Sequence, residues 1–166
     1  MNIIIPFYEK QLKEEAVITR KMLGIVPEDK YDWQPHPKSM SIRRLATHIA
    51  ELPSWIPLAI DTDVLDFAVG DYKPTLINNN SDLLATFEEN QKKAFVGLSG
   101  TTDEFLKNPW TMKNGDTVFF TITKEDVIRM AISQTIHHRA QMGVFLRLLN
   151  IPIPGSYGPS ADEMGL

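Results

Sequence analysis

Apolar residues along this chain recur mostly at intervals of three and four, the spacing of one helix face, and they mark out four segments. The first runs from about Phe7 to Leu23, with Leu12, Ala16, Thr19 and Leu23 on one stripe, and Gly24 stops it. A loop from Pro27 to Lys38 follows, carrying Trp33 and His36 among its prolines. A second helix begins at Ser39 or Ser41, either of which can cap it, with Leu45, His48, Ile49 and Leu52 on its inner stripe. Pro53 and Pro57 bend or restart the chain there. Trp55 to Leu65 reads as continued helix, and the stretch to Asn80 as irregular. The third helix starts at Asn80 or Ser81, turns Leu84, Phe87, Gln91, Phe95 and Leu98 inward, and closes at Gly100; a short helical turn covers Thr102 to Leu106.

Between Trp110 and Thr121 the period changes from helical to alternating. Asn114-Gly115 is a tight-turn signal, and the run from Thr117 to Thr121 is rich in β-branched and aromatic residues, which predicts a small hairpin. Thr123 with Asp126 resembles a capping box and opens the fourth helix, which runs to about Leu149. The tail beyond Asn150, rich in proline and glycine, reads as a docked loop. The pattern predicts an all-α fold: a four-helix bundle with a small β-hairpin between helices three and four. The long second connection argues against the simplest up-down-up-down order.

Composition narrows the function classes. The length of 166 residues fits one domain, 1–166, with one sizeable core. A net charge of −4 and the absence of any basic stripe argue against a nucleic-acid partner. The chain has no cysteine, which excludes disulfides, thiolate metal sites and a cysteine nucleophile; any thiol in its chemistry must come from a cosubstrate. The apolar start, Met1 to Ile5, is too short for a signal peptide, and no apolar run is long enough to span a bilayer. No membrane partner and a cytoplasmic location are expected.

The candidate chemistry lies with the histidines. His48 sits mid-stripe on helix two, and on helix four Val127, Ala131, Gln134, His138, Gln141, Phe145 and Leu149 share a face at about 100° per residue. That face is apolar at both ends and polar in the middle. Gln134 and His138, at i and i+4, meet there, while His137 points roughly 100° away. Burying an imidazole without a partner is costly, so one from each of two helices, with an amide alongside, predicts a shared polar centre. Such a centre is either a metal site or a hydrogen-bonded cluster with structural waters, and spacing alone leaves both open. Glu51, three residues after His48, could reach the same centre, but the repeated Glu-x-x-His motif of a di-iron bundle is absent. There is no glycine-rich phosphate loop, no His-Glu-x-x-His and no nucleophile elbow. Ser160 reads as a turn serine, and Trp33 and Trp110 as core or pocket wall.

Helix four is apolar nearly all round. Ile128, Ile132, Ile136, Gly143 and Leu146 lie away from His138, interrupted by Arg129, Arg139 and Arg147, whose stems can pack while their charged ends stay wet. Either other parts of the same chain cover this side, or a second copy does so in a two-fold contact. Gly143 and the ridge of isoleucines favour the second copy.

Trp33-Gln-Pro-His-Pro-Lys-Ser-Met-Ser41 leading into Leu45-Ala-Thr-His-Ile-Ala-Glu-Leu52, and Gln134-Thr-Ile-His-His-Arg-Ala-Gln141 followed by Phe145-Leu-Arg-Leu-Leu149, resemble the DinB/YfiT family of metalloenzymes. The resemblance implies a four-helix bundle, usually a homodimer, with three histidines around one divalent metal ion, zinc or nickel. His48 and His138 match two of those ligands. Gln134 stands where the third histidine is usual, which implies a weaker, altered or empty site. His137 matches no ligand. The implied activity is a metal-dependent thiol-S-transferase that joins a low-molecular-weight thiol to an electrophilic small molecule. The alternatives are a metal-dependent hydrolase and a non-catalytic, small-molecule-binding or structural dimer whose metal site has degraded.

Overall fold

The first helix, α1 (Ile4–Gly24), buries Leu12, Ala16, Thr19 and Leu23, the stripe that its spacing marks. The computed structural model describes residues 2–70 and 75–166. In chain order there follow α2 (Ile42–Glu51), α3 (Trp55–Asp61), β1 (Val64–Asp66), α4 (Asn80–Ser99), β2 (Pro109–Asn114), β3 (Thr117–Thr123) and α5 (Lys124–Leu148). The architecture is mostly helical, with the long helices packed on one another and a small three-stranded sheet at one end. α1 packs on α4 and α5, and α2 packs on the same two helices from the other side. Among the described residues, no helix is long and apolar enough to cross a membrane.

Local chemistry explains where the helices start. The Ser41 hydroxyl accepts from the Arg44 amide at the head of α2, and Thr123 accepts from the Asp126 amide at the head of α5 while donating its own hydroxyl to the Asp126 carboxylate. Each such cap typically contributes about 1 kcal/mol. Helix α1 has no capping side chain of its own. The carboxylate of Asp103, remote in sequence, accepts from the amides of Ile3, Ile4 and Ile5 instead.

The second helix restarts around Pro53 as expected but does not run on to Leu65. A 3-10 turn over Leu52–Ser54 separates α2 from α3, and α3 stops at Asp61, where the Thr62 amide and hydroxyl both close on the Leu58 carbonyl. Leu65 lies in β1, which pairs in parallel with β2 at Val64–Thr111, Leu65–Met112 and Asp66–Lys113. The Asp66 carboxylate fixes this strand by accepting from the amides of Ala68 and Gly115. Gly115 has φ 58°, a conformation that the turn between β2 and β3 requires and glycine adopts without cost. β2 and β3 are antiparallel, with an irregularity between Met112 and Lys113. Of the stretch expected to be irregular before Asn80, residues 71–74 lie outside the described residues.

One core cluster gathers Leu23, Ile42, Leu45, Ile49, Phe87 and Met142, and a second gathers Leu12, Ile56, Leu98, Ile128 and Ile132. The inward face of α4 is turned by one residue from expectation: Leu83, Phe87, Ala94 and Leu98 are buried, while Leu84, Gln91 and Phe95 are half-buried. The isoleucine ridge of α5 is also placed differently. Ile128, Ile132 and Leu146 are at most 4% exposed within the single chain, and a methyl group on Gly143 would meet Met22 at 3.6 Å and Ile153 at 3.8 Å. α1 and the tail cover Ile128, Ile132, Gly143 and Leu146 within the single chain, and of that ridge Ile136 is left half-buried. Nor does Arg139 keep its charged end wet: it is 2% exposed, and its guanidinium is held inside by Glu15 and Thr19.

Candidate functional site

The two histidines singled out by the sequence come together. His48 projects from α2 and His138 from α5; their ring centroids are 4.6 Å apart and the planes meet at 75°. Packing of α2 against α5 brings them there, through Leu45 and Ile49 on one helix and Met142 and Leu146 on the other, all in one cluster. Both rings are half-buried, so the pair sits at the rim of the bundle rather than at its centre. The reason lies in α5, whose buried arc runs through Thr135, Arg139, Met142 and Leu146, one residue round from the stripe that contains His138.

The other expected members are distributed around this pair. Gln134 lies one turn before His138 on α5 and is exposed. His137 is exposed too, its ring 4.9 Å from that of His138. Glu51 accepts from both the amide and the hydroxyl of Thr75, at 2.8 and 2.7 Å, and its charge also favours protonation of His48. His36 stays in its loop, where Nδ1 accepts from the Lys38 amide. Phe145, two turns after His138, stacks edge-on against Trp33 with centroids 5.8 Å apart. Trp110 is fully buried, its indole N–H donating to the Thr62 hydroxyl.

A contact that the sequence reading left without a role sets the chemistry of His138. Its Nδ1 lies 2.8 Å from Gln141 Oε1. An amide oxygen offers only lone pairs, so this bond requires the proton on Nδ1 and leaves the lone pair on Nε2. The i, i+3 spacing of His138 and Gln141 was the available signal. Burial pushes the His138 pKa down, the Gln141 bond opposes this, and His137 lowers it further. His48 is lowered first by burial and then by His138; Glu51 opposes this and Arg44 adds to it. Both imidazoles are therefore neutral at neutral pH, the form in which histidine donates to a metal.

These shifts carry a pH dependence for the metal-free chain. Unfolded histidines titrate near 6.5, above their folded values, so in between the unfolded state binds more protons. The stability contribution is complete above about pH 6.5 and is lost as pH falls through that value toward the folded pKa values. Urea titrations at about pH 7.5 and about pH 5.5 should show lower stability at the acid end, with a shallower slope for His138→Asn. An equal slope in both proteins would contradict the assigned burial.

As a metal site, the arrangement offers two neutral nitrogen donors from different helices. Among the described residues, no group of three or more His, Cys, Asp or Glu side chains could hold a metal ion. The chemistry of the two imidazoles suits two positions of a divalent ion.

A sequence profile of the DinB family matches residues 7–165, and the chain belongs to that family. The uncharacterised YrdA protein of Bacillus subtilis is 24% identical over 168 residues, spanning 93% of this chain and 88% of YrdA. Among solved structures, the DinB-like protein YjoA of Bacillus subtilis superposes with a TM-score of 0.68 at 18% identity, covering 90% of this chain and 96% of its own. A DinB family member from Exiguobacterium sibiricum gives 0.67 at 18% identity, covering 93% and 97%. YfiT of Bacillus subtilis, described as a probable metal-dependent hydrolase with an unusual four-helix bundle topology, gives 0.67 at 18% identity, covering 89% of each chain. At these identities the structural neighbours speak for the fold.

Proposed function

We propose that this chain is a metal-dependent enzyme whose divalent ion, zinc or nickel, is held by His48 and His138 with Gln134 as a weaker third donor, and that it joins a low-molecular-weight thiol to an electrophilic small molecule. The observation that carries the reading is the meeting of two neutral imidazoles from α2 and α5, 4.6 Å between centroids, in a chain of the DinB family. A divalent ion bound there supplies a positive centre that lowers the pKa of a thiol or a water. The chain's own residues do the rest. Gln141 holds the Nδ1 proton of His138 and so keeps Nε2 free to donate. Burial keeps both rings unprotonated. With no cysteine in the chain, the reacting thiol is a cosubstrate.

Hydrolysis is the second reading, favoured by the description of the structural neighbour YfiT. In that case a water replaces the thiol at the same pair of histidines.

Metal analysis and calorimetry on untagged protein test the site. The wild type should bind zinc or nickel, His138→Ala and His48→Ala should lose that binding, and Gln134→His should tighten it about tenfold or more, since an imidazole replaces a neutral amide oxygen one turn before His138. A wild type that binds no divalent ion at micromolar concentration would overturn the metal reading. Unchanged affinity in Gln134→His would remove position 134 from the site. For the reaction, a small thiol should alkylate faster with the metal-loaded wild type than with His138→Ala. Equal rates would leave hydrolysis or simple binding as the activity.

A further inference from the structure

The rim of the histidine pair carries a cation that the chain does not neutralise. The sequence has six arginines: Arg20, Arg43, Arg44, Arg129, Arg139 and Arg147. Five are held by carboxylates: Arg20 by Glu88, Arg43 by Asp32, Arg129 by Asp126, Arg139 by Glu15 and Arg147 by Asp162. The guanidinium of Arg44 has no ion pair or hydrogen bond among the described residues, and the residue is exposed. Arg44 lies four residues before His48 on α2, so the two side chains share one face of the helix. Its charge is felt at the imidazole.

This placement does not serve stability. Arg44 stands in the first turn of α2, which has no acidic residue, and a cation there opposes the helix dipole. It also sits beside an imidazole that a metal ion would make positive. An arginine fork suits planar oxyanions, which it can grip through two parallel N–H bonds. Because neighbouring Arg43 is already occupied by Asp32 and by the ring of Tyr31, the charge on offer is a single one, which matches a carboxylate rather than a doubly charged phosphate.

We infer that the site takes a small carboxylate, its carboxylate oxygens held by Arg44 while its reacting atom lies at the His48–His138 pair. The inference rests on the functional reading of that pair given above. The spacing bounds the ligand: Arg44 and His48 stand four residues apart, about 6 Å of helix rise, so a short molecule carrying a carboxylate and a reacting group can reach both side chains.

The test uses 3-hydroxypropionate and its neutral amide, 3-hydroxypropionamide, titrated into chelator-treated protein while the ring signals of His48 and His138 are followed by NMR. The acid should give saturable shifts at both rings and bind about tenfold more tightly than the amide. Arg44→Gln should erase that difference, and Arg44→Lys should retain part of it. Acid and amide that bind alike, or an Arg44→Gln variant that behaves as the wild type, would overturn the inference. Zinc titrations of the same proteins separate it from the metal reading. Arg44→Gln should not weaken zinc binding, whereas His138→Ala should abolish it. If zinc fails to bind while the Arg44-dependent shifts persist, the metal reading falls and the carboxylate site stands; if zinc binds and those shifts are absent, the carboxylate site falls alone.

Discussion

Replacing Arg139 with alanine will destabilise the folded chain by about 3–5 kcal/mol, the usual cost of stranding one partner of a buried ion pair. Arg139 is 2% exposed and its partner Glu15 8%, so neither charge can turn to water for compensation. The guanidinium donates to Glu15 Oε2 at 2.6 Å, to Thr19 Oγ1 at 3.0 Å and to the Tyr157 hydroxyl at 3.0 Å; that hydroxyl in turn donates to Glu15 Oε1 at 2.7 Å. One residue thus fastens α5 to α1 and to the tail. For a chain of this size the loss corresponds to a fall in melting temperature on the order of 10 °C. Replacing both charges by methionine should recover most of it, because the penalty arises from the unpaired carboxylate rather than from the absence of the pair. Scanning calorimetry of the single and double variants decides the matter, and a single variant within about 1 kcal/mol of wild type would mean that Glu15 finds water.

Lys124→Met should cost about 2–4 kcal/mol, although methionine keeps most of the apolar stem. Lys124 is the first residue of α5, where its charge opposes that helix's own dipole, and it is 1% exposed. What offsets this is the far end of α3. The ammonium donates to the Ala59 carbonyl at 2.8 Å and to the Thr62 carbonyl, pairs with Asp63 at 2.8 Å and lies 5.2 Å from the centre of the Phe105 ring. A helix C-terminus leaves its last carbonyls without partners, and Lys124 supplies the missing donor. Methionine fills most of the stem's space but leaves the buried Ala59 carbonyl and the part-buried Thr62 carbonyl without this donor. Urea denaturation measures the loss; a variant as stable as the wild type would show that water reaches the end of α3.

The parts of this fold that were legible in the sequence are those set by local chemistry. Ser41 and Thr123 cap their helices, Asn80 opens α4, and the stripe of α1 is buried as spaced. What the sequence could not give is how far each helix is rotated. α5 is packed by α1 on one side and by α2 and α3 on the other, so its buried arc is wide. A wheel of apolar residues shows such an arc without showing its middle, which falls on Thr135 and Arg139 rather than on Gln134 and His138. The same width made Ile128 and Ile132 look available to a second copy when α1 covers them. Leu65 was read as helix because apolar runs of a few residues do not distinguish helix from strand, and only its pairing with Met112 decides. For the site, His48 and His138 were readable as inward groups on two helices. Arg44 was not, because a charged residue at the head of a helix looks like ordinary surface until the partners of the other arginines are known.

The start of α1 has a consequence for how the chain is made. The amides of Ile3, Ile4 and Ile5 are capped by Asp103, which lies in the connection between α4 and β2. During synthesis from the N-terminus, that carboxylate does not yet exist when α1 leaves the ribosome. A lone helix is marginal in water even with a good cap, so α1 in the nascent chain should remain frayed at its head for most of elongation. Closure then comes late and joins positions at opposite ends of the early folding units. Asp103→Ala should therefore slow the final consolidation of the chain more than it affects the packing of α2 against α5, and a stalled nascent chain ending before residue 103 should expose the first turn of α1 to proteolysis.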